Sequence, residues 1–321
     1  MNKITTEKCP VCYIVVPCFN EEEVLPLSAP VFLKKLEQLQ SQKKIAASSK
    51  ILFIDDGSSD STWEKIISLH TAHANIIGLK LSKNCGHQNA LLAGLLYSKD
   101  LSDITISFDA DLQDDINVVD SFVDKYEQGA HIVCGVRSDR SNDSFFKRVT
   151  AQVFYRTMKL LGVNLIYNHA DCRLMSKQAL QALACYPEEN LFLRGIIANL
   201  GFKTEKAYYA RQKRTVGKGK YPLHKMLSFA WEGLTSFSLL PIRLISCLGF
   251  LSAAMSVLMF CYFFIGKLLG SPVPGYASLI CSIWFIGGMQ LFAISIIGEY
   301  IGKTYIETKR RPRYIVEQTL E

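Results

Sequence analysis

Ile104-Thr-Ile-Ser-Phe108 runs directly into Asp109-Ala-Asp111-Leu-Gln113-Asp114-Asp115. The first five residues alternate as a half-buried strand does, and the strand ends on carboxylates one residue apart. Such a pair can share a hard cation and leave positions open for phosphate oxygens. A diphosphate held that way has its charge neutralised and leaves more readily. A calcium loop of the EF-hand type is one rival reading. It needs Gly at the sixth position, where Asp114 stands, and a helix rather than a strand leading in. A solvated acidic loop is the other rival, and the apolar strand in front of it argues against that.

The same pattern recurs on both sides of this stretch. Val11 to Pro17 ends in Cys-Phe-Asn-Glu-Glu-Glu, and Lys50 to Ile54 ends in Asp55-Asp56-Gly57-Ser-Ser-Asp60. Asn75 to Leu81 ends in Ser-Lys-Asn-Cys-Gly-His, and His131 to Val136 ends in Arg137. Helix-like stretches lie between these runs, at Val31 to Gln42, Thr62 to His73, Gln88 to Lys99 and Val118 to Gln128. Strands alternating with helices specify an α/β fold, a mostly parallel sheet with helices on both faces. In such sheets ligands bind at the carboxyl ends of the strands, so the polar endings should converge on one site. One carboxylate of Asp55-Asp56 can accept from a base N–H or a ribose hydroxyl. Asp55 and Asp60 equally suit a turn and a helix cap. No G-x-G-x-x-G follows the first strand and no G-x-x-x-x-G-K-[ST] occurs, which argues against a dinucleotide Rossmann enzyme and a P-loop NTPase.

The chain has 321 residues and a formal net charge of +7. No basic, aromatic-rich stretch of the nucleic-acid type is present, so an anionic membrane is the preferred partner and nucleic acid is not. The N-terminus shows no signal-peptide pattern, which keeps the first part in the cytosol. Ten cysteines are scattered, mostly in apolar runs. Cys9 and Cys12 lack the second pair that a structural zinc site needs and read as free thiols.

Two uncharged, apolar runs, about residues 244–266 and 277–298, are each of membrane-spanning length. Arg243 precedes the first, and Lys303, Lys309, Arg310, Arg311 and Arg313 follow the second. The positive-inside rule therefore puts both ends in the cytosol. Gln290 and Gly287-Gly288 suit helix packing within or between chains, which allows a homo-oligomer. Before the first run, Leu223, Met226, Leu227, Ala230, Leu234 and Phe237 recur at helical spacing, as in an interfacial helix or a core helix. The reading divides the chain into a soluble domain over 1–220, an amphipathic segment over 221–242, two spans within 243–302 and a basic tail over 303–321.

Taken in order, the motifs resemble a known family over nearly the whole chain. They are Val15-Val-Pro-Cys-Phe-Asn-Glu-Glu22, Phe53-Ile-Asp-Asp-Gly-Ser-Ser-Asp60, Asn84-Cys-Gly-His-Gln88 and Asp109-Ala-Asp-Leu-Gln113. Asp171-Cys-Arg173, Arg214-Thr-Val-Gly-Lys-Gly-Lys-Tyr-Pro222, Gly298-Glu-Tyr-Ile-Gly302 and Arg311-Pro-Arg-Tyr314 complete the set. The chain resembles the inverting family-2 glycosyltransferases with a GT-A-type domain. Within them it is most similar to polyprenyl-phosphate enzymes with a C-terminal hairpin, such as the bactoprenol glucosyltransferases, and more distantly to the dolichol-phosphate mannosyltransferases.

The resemblance implies a single sugar, such as glucose from UDP-glucose, moved to a polyprenyl phosphate such as undecaprenyl phosphate at the cytoplasmic membrane. UDP-GlcNAc, UDP-galactose and GDP-mannose are the alternative donors. Pro17, Glu21, Asp55, Asp56 and Asp109 would bind the nucleotide-sugar, and Asp109, Asp111 and Gln113 would hold Mg2+ or Mn2+. Arg137, Lys147 and Arg148 would face the acceptor phosphate, and Arg214 and Lys220 would sit on a Gly-rich loop closing over the phosphates. Ala151 stands where some relatives have a phosphate-binding Ser, and Cys172 where an aromatic residue or Gly is common.

A phosphomonoester has a second pKa near 6, so the acceptor is already largely an oxyanion and needs no strong base. Cations must instead bring two anionic groups together, which assigns catalysis to Asp111, Arg137, Arg148, Arg173, Arg214 and Lys220. His87 reads as a helix-start residue bonded to backbone rather than as a base. A processive synthase would show a Q-x-x-R-W segment and more spans. A non-enzymatic nucleotide-sugar sensor need not keep both the carboxylate and the cation sets.

Overall fold

Each apolar run folds as a strand: β1 (Cys12–Cys18), β2 (Lys50–Asp55), β3 (Ile76–Leu81), β4 (Ile104–Ser107) and β5 (Ile132–Arg137). Between them lie α1 (Leu25–Ser41), α2 (Thr62–Ala72), α3 (His87–Ser98) and α4 (Val118–Glu127). Then come β6 (His169–Ser176), α5 (Lys177–Ala184), α6 (Leu193–Asn199) and β7 (Thr204–Tyr209). Two long helices, α7 (Leu240–Leu268) and α8 (Tyr276–Lys309), precede a last strand, β8 (Val316–Leu320). This computed structural model describes residues 9–138, 169–188, 193–210, 240–268 and 275–321. The chain divides into two units, Met1–Pro222 with Pro312–Glu321, and Leu223–Arg311.

The first unit is built on one eight-stranded sheet of order β7-β5-β6-β4-β1-β2-β3-β8. Strands β4, β1, β2 and β3 are mutually parallel. They are fully or nearly fully buried, as expected of strands covered on both faces. The core lies on this inner sheet. Phe32 of α1 meets Phe53 and Phe108 edge-on, with ring centroids 6.4 and 5.8 Å apart. Phe108, 1% exposed, is the residue that anchors the start of the carboxylate turn. On the other face α3 comes very close: a Cβ on Gly94 would lie 2.5 Å from Val15 Cγ1 and 2.7 Å from Ile54 Cδ1.

Two elements depart from the expected arrangement. First, a strand absent from the sequence reading, β6, enters the sheet beside β4. It lies between β4 and β5, antiparallel to both, and the sheet is therefore mixed while remaining mostly parallel. Second, the expected basic tail over 303–321 is corrected. Helix α8 continues to Lys309, and β8 then pairs antiparallel with β3, aligning Gly78 with Leu320 and Leu81 with Val316. Ser82 N–H donates to Ile315 O at 3.0 Å, and Trp63 Nε1 donates to Gln318 Oε1 at 3.3 Å. Gly78 leaves room for this strand, since a Cβ there would stand 3.0 Å from Leu320 Cδ1.

The expected apolar runs at 244–266 and 277–298 fall within α7 and α8. Helix α8 has 34 residues, which at 1.5 Å per residue is about 50 Å, well beyond an apolar bilayer core of about 30 Å. Among the described residues, Phe285–Lys309 is the stretch long and apolar enough to cross a membrane. Large apolar side chains on both helices stand exposed, among them Phe250, Tyr262, Phe285 and Leu291. Arg310 closes α8 in the left-handed conformation, φ 47°, and Pro312 bars its continuation. Residues 221–239 of the expected amphipathic segment lie outside the described residues.

Candidate active site

From β1 the chain winds outward through β2 and β3 on one side, while β4 lies on the other. In open α/β sheets the crevice that takes ligands lies outside the carboxyl ends of the strands where the winding reverses, here between β1 and β4. Pro17 sits at that end of β1. It aligns with Ile54 on β2, but the pairing with β4 has already stopped at Val15, so its missing N–H breaks no bond on that side.

The loops after β1 and β2 are fastened to each other. Asn20 N–H donates to Ser58 Oγ at 3.0 Å, and Ser59 N–H to Asn20 Oδ1 at 2.9 Å. Glu21 N–H reaches Thr62 Oγ1 at 2.8 Å, and Ser61 N–H reaches Glu22 Oε2 at 3.0 Å. Asn20 is left-handed, φ 53°, a conformation Asn tolerates better than most residues. Asp60 accepts from Glu22 N–H at 3.2 Å and Thr62 N–H at 3.0 Å, which makes it a brace between the loops.

Asp55 is fully buried; its Oδ1 accepts from Ser58 N–H at 3.1 Å, and its Oδ2 has no partner among the described residues. Burial raises its pKa, with the Ser58 hydrogen bonds opposing. Asp56 accepts from Cys85 N–H at 2.7 Å and Gly86 N–H at 3.0 Å. Burial raises this carboxyl too, against those two donors. Asp56 therefore holds the 84–88 loop in place. Gly57 between them is obligatory: its φ is +64°, and a Cβ would stand 2.4 Å from the backbone carbonyl carbon of Lys83.

Beyond Phe108 the chain makes a strained turn, with Leu112 left-handed at φ 50°. The turn lets Gln113 N–H donate to Asp111 Oδ1 at 3.2 Å and buries Gln113 to 8% exposure. Asp109 Oδ1 lies 3.5 Å from His87 Nε2, so His87 faces a carboxylate, not the backbone that the sequence reading gave it. Asp109 is pushed up to about 6, first by desolvation in the crevice and then by the carboxylates of Asp171, Asp114 and Asp111, with His87 opposing.

Carboxylates that repel one another in this way suit a cation. Among the described residues no three His, Cys, Asp or Glu side chains could hold a metal ion by themselves. Asp109, Asp111 and the Gln113 amide make an incomplete oxygen set, which suits Mg2+ or Mn2+ completed by substrate phosphates and water.

The far wall of the crevice comes from β5, β6 and β7. Arg137 ends β5, and its Nε and Nη2 donate to Asp114 Oδ1 at 3.3 and 3.2 Å. Asp171, on β6, is gripped by a fork: Arg194 Nε donates to Oδ1 at 3.1 Å and Nη2 to Oδ2 at 2.8 Å. Arg173 Nη2 adds a third bond, 2.7 Å to Oδ1. Burial alone would raise the Asp171 carboxyl, but Arg194 and then Arg173 outweigh it and hold it well below the usual carboxylate range. Arg173 is 0% exposed, and its Nη2 bond goes to Asp171.

The structure places Asp109, Asp111 and Gln113 in the turn after β4, Arg137 at the end of β5 and tied to Asp114, Pro17 on β1 and Asp55 on β2, with Glu21 and Asp56 on the loops that follow those two strands. Lys147, Arg148, Arg214 and Lys220 lie outside the described residues. Asp114, Asp171 and Arg194 were not among the expected site residues. Asp171 was visible within the Asp171-Cys-Arg173 motif and Asp114 within the acidic run, whereas Arg194 carries no local signal.

The family model described as Glycosyl transferase family 2 matches residues 13–184. The chain is 54% identical over 308 residues to "Uncharacterized glycosyltransferase YkoT" of Bacillus subtilis (strain 168), covering 96% of this chain and 91% of that protein. It is 40% identical over 308 residues to the SfII prophage-derived bactoprenol glucosyl transferase of Shigella flexneri, covering 95% and 97%. Among solved structures, glucosyl-3-phosphoglycerate synthase from Mycobacterium tuberculosis aligns with a TM-score of 0.44 at 14% identity, over 71% of this chain and 79% of that one.

Proposed function

The chain belongs to glycosyltransferase family 2, and we propose that it moves one sugar from a nucleotide-sugar to a polyprenyl phosphate at a membrane surface, with inversion. The observation that carries this reading is one crevice in which the Asp109–Gln113 turn ends β4 and Arg137 ends β5. One wall suits a diphosphate through a cation, and the other suits a second anion directly. The full-length similarity to bactoprenol glucosyl transferases supports a lipid phosphate as that anion and glucose as the sugar.

Asp55, with its unpartnered buried oxygen, and the loop braced by Asp56 would bind the nucleoside. Asp109, Asp111 and Gln113 would hold Mg2+ or Mn2+, which would neutralise the departing diphosphate. Arg137, with Lys147 and Arg148, would hold the acceptor phosphate on the opposite side of the sugar. Its oxygen attacks the anomeric carbon from the face away from the leaving group. Asp171 is a poor proton acceptor, because two guanidinium groups hold it ionised. That suits a nucleophile that arrives deprotonated. Arg214 and Lys220 would close over the phosphates.

The helical unit would place this site at the headgroup level of the cytoplasmic membrane. The chain leaves the sheet unit after Pro222 and rejoins it at Pro312. A folded domain stays on one side of a bilayer, so the intervening segment crosses an even number of times. That supports two spans, α7 and α8, with both flanks cytosolic.

The decisive experiment uses the full chain in detergent with undecaprenyl phosphate and a panel of UDP- and GDP-sugars, with product mass measured. A lipid-linked monosaccharide formed together with free nucleoside diphosphate is expected. Nucleotide-sugar binding without lipid-dependent release of nucleoside diphosphate would leave a sensor instead.

A further inference from the structure

We propose that Asp114 is a positioning residue that sets the Arg137 guanidinium for the acceptor phosphate, an inference that rests on the transfer reading above. Asp114 directly follows the cation-holding turn, and its side chain is 2% exposed. One of its oxygens takes both Nε and Nη2 of Arg137, which engages a single edge of the guanidinium. With that edge fixed, the planar group presents its other edge to an anion, the geometry arginine uses for phosphate. Arg137 keeps 28% of its side chain exposed, so it is held by Asp114 and still reaches the surface.

The surroundings leave the pair little freedom. Tyr209 is aligned with Arg137 across the β5–β7 ladder. It is buried, and its phenol is raised first by that burial and next by the Asp114 carboxylate beside it. A Cβ on Gly135 would stand 2.8 Å from Cys172 O and 2.9 Å from the Tyr209 ring, so the strands at this point are closely spaced. The Tyr209 phenol bears on both members of the pair, the Asp114 carboxylate and the Arg137 guanidinium. A buried charge pair of this kind is weak evidence for stability, since apolar residues of the same volume serve as well. What it does supply is register. A single short turn carries the cation ligands and, one residue on, the group that fixes the opposing arginine. The separation of the two anionic substrates is thereby set by one piece of backbone.

The test is Asp114→Asn in the full chain in detergent, with KM measured separately for undecaprenyl phosphate and for the nucleotide-sugar. The acceptor KM should rise about tenfold or more, while the donor KM stays within about threefold and unfolding remains cooperative. In an Arg137→Gln background the same substitution should add nothing to the acceptor KM. Equal movement of both KM values, or an unchanged acceptor KM, overturns the proposal in favour of a merely structural pair. If Asp114→Asn does not fold, Arg137→Lys takes its place. It keeps the charge but loses the fork and should show the same split, and no split again overturns the proposal. A wild-type chain that transfers nothing to the lipid, whatever the donor, fails at the transfer reading itself and takes this inference with it.

Discussion

Two carboxylates in the β4 turn behave differently enough to be told apart by experiment. Asp111 accepts from Gln113 N–H within its own turn. Asp111→Asn should fold as the wild type does and lose about a hundredfold or more in turnover, as removal of an electrostatic stabiliser does. Undiminished turnover of that variant, or of the wild type in excess EDTA, would remove the metal from the reaction. Asp109 is raised to about 6 from an ordinary 3.8. The sign follows from linkage: between those values the folded state binds more protons than the unfolded one. The stability contributed by protonated Asp109 is therefore fully present below about 4 and is lost as pH rises through about 6. A bound cation reverses this, because it needs the ionised form. The rise in unfolding temperature caused by Mn2+ should be large at pH 8, shrink below pH 6 and vanish in Asp109→Asn. A cation-induced rise that is flat with pH would exclude Asp109 as a ligand. The strand-end carboxylates were legible in the sequence because they follow apolar runs. Asp114 was visible as one more acid in the run, but its pairing was not, and Arg194 gave no signal, because each meets a partner 23 residues away in sequence.

Among the elements, the loops after β2 and β3 act as one body. Gly57 and Gly86 both have positive φ, yet only Gly57 has backbone against its missing Cβ; Gly86 has nothing within 4 Å. Gly86→Ala should cost about 1–2 kcal/mol, the strain of a left-handed residue. Gly57→Ala should cost about 1–3 kcal/mol beyond that, because the Lys83–Asn84 backbone must shift, and donor KM should rise as the Asp56 contacts to Cys85 and Gly86 loosen. Denaturant unfolding of the two variants decides it, and equal losses would mean the loops are independent. Strands β1, β2, β3 and β5 were legible as largely apolar runs and β4 by its alternation, and all five lie almost wholly buried in the sheet. Strand β6 was hidden because Asp171 and Arg173 sit in its middle, their charges compensated by each other and by Arg194. Strand β8, Val-Glu-Gln-Thr-Leu, is almost wholly exposed, so no hydrophobic pattern marks it.

At the scale of the whole molecule, β8 changes what a soluble version must contain. A chain ending at Pro222 would lack β8 and bare the edge of β3, an invitation to pair with other chains. It should aggregate. Replacing residues 223–311 with a flexible linker keeps β8 and should give a soluble, cooperatively unfolding protein that binds nucleotide but transfers poorly to long-chain lipid. If the chain ending at Pro222 were as soluble and as stable, β8 would be dispensable. The position of β8 also imposes an order on biosynthesis. It is translated only after the whole of α7 and α8, so the β3 edge stays open until both helices have been made. A chain that stalls before Val316 therefore carries an unpaired strand edge, the feature that invites pairing with another chain.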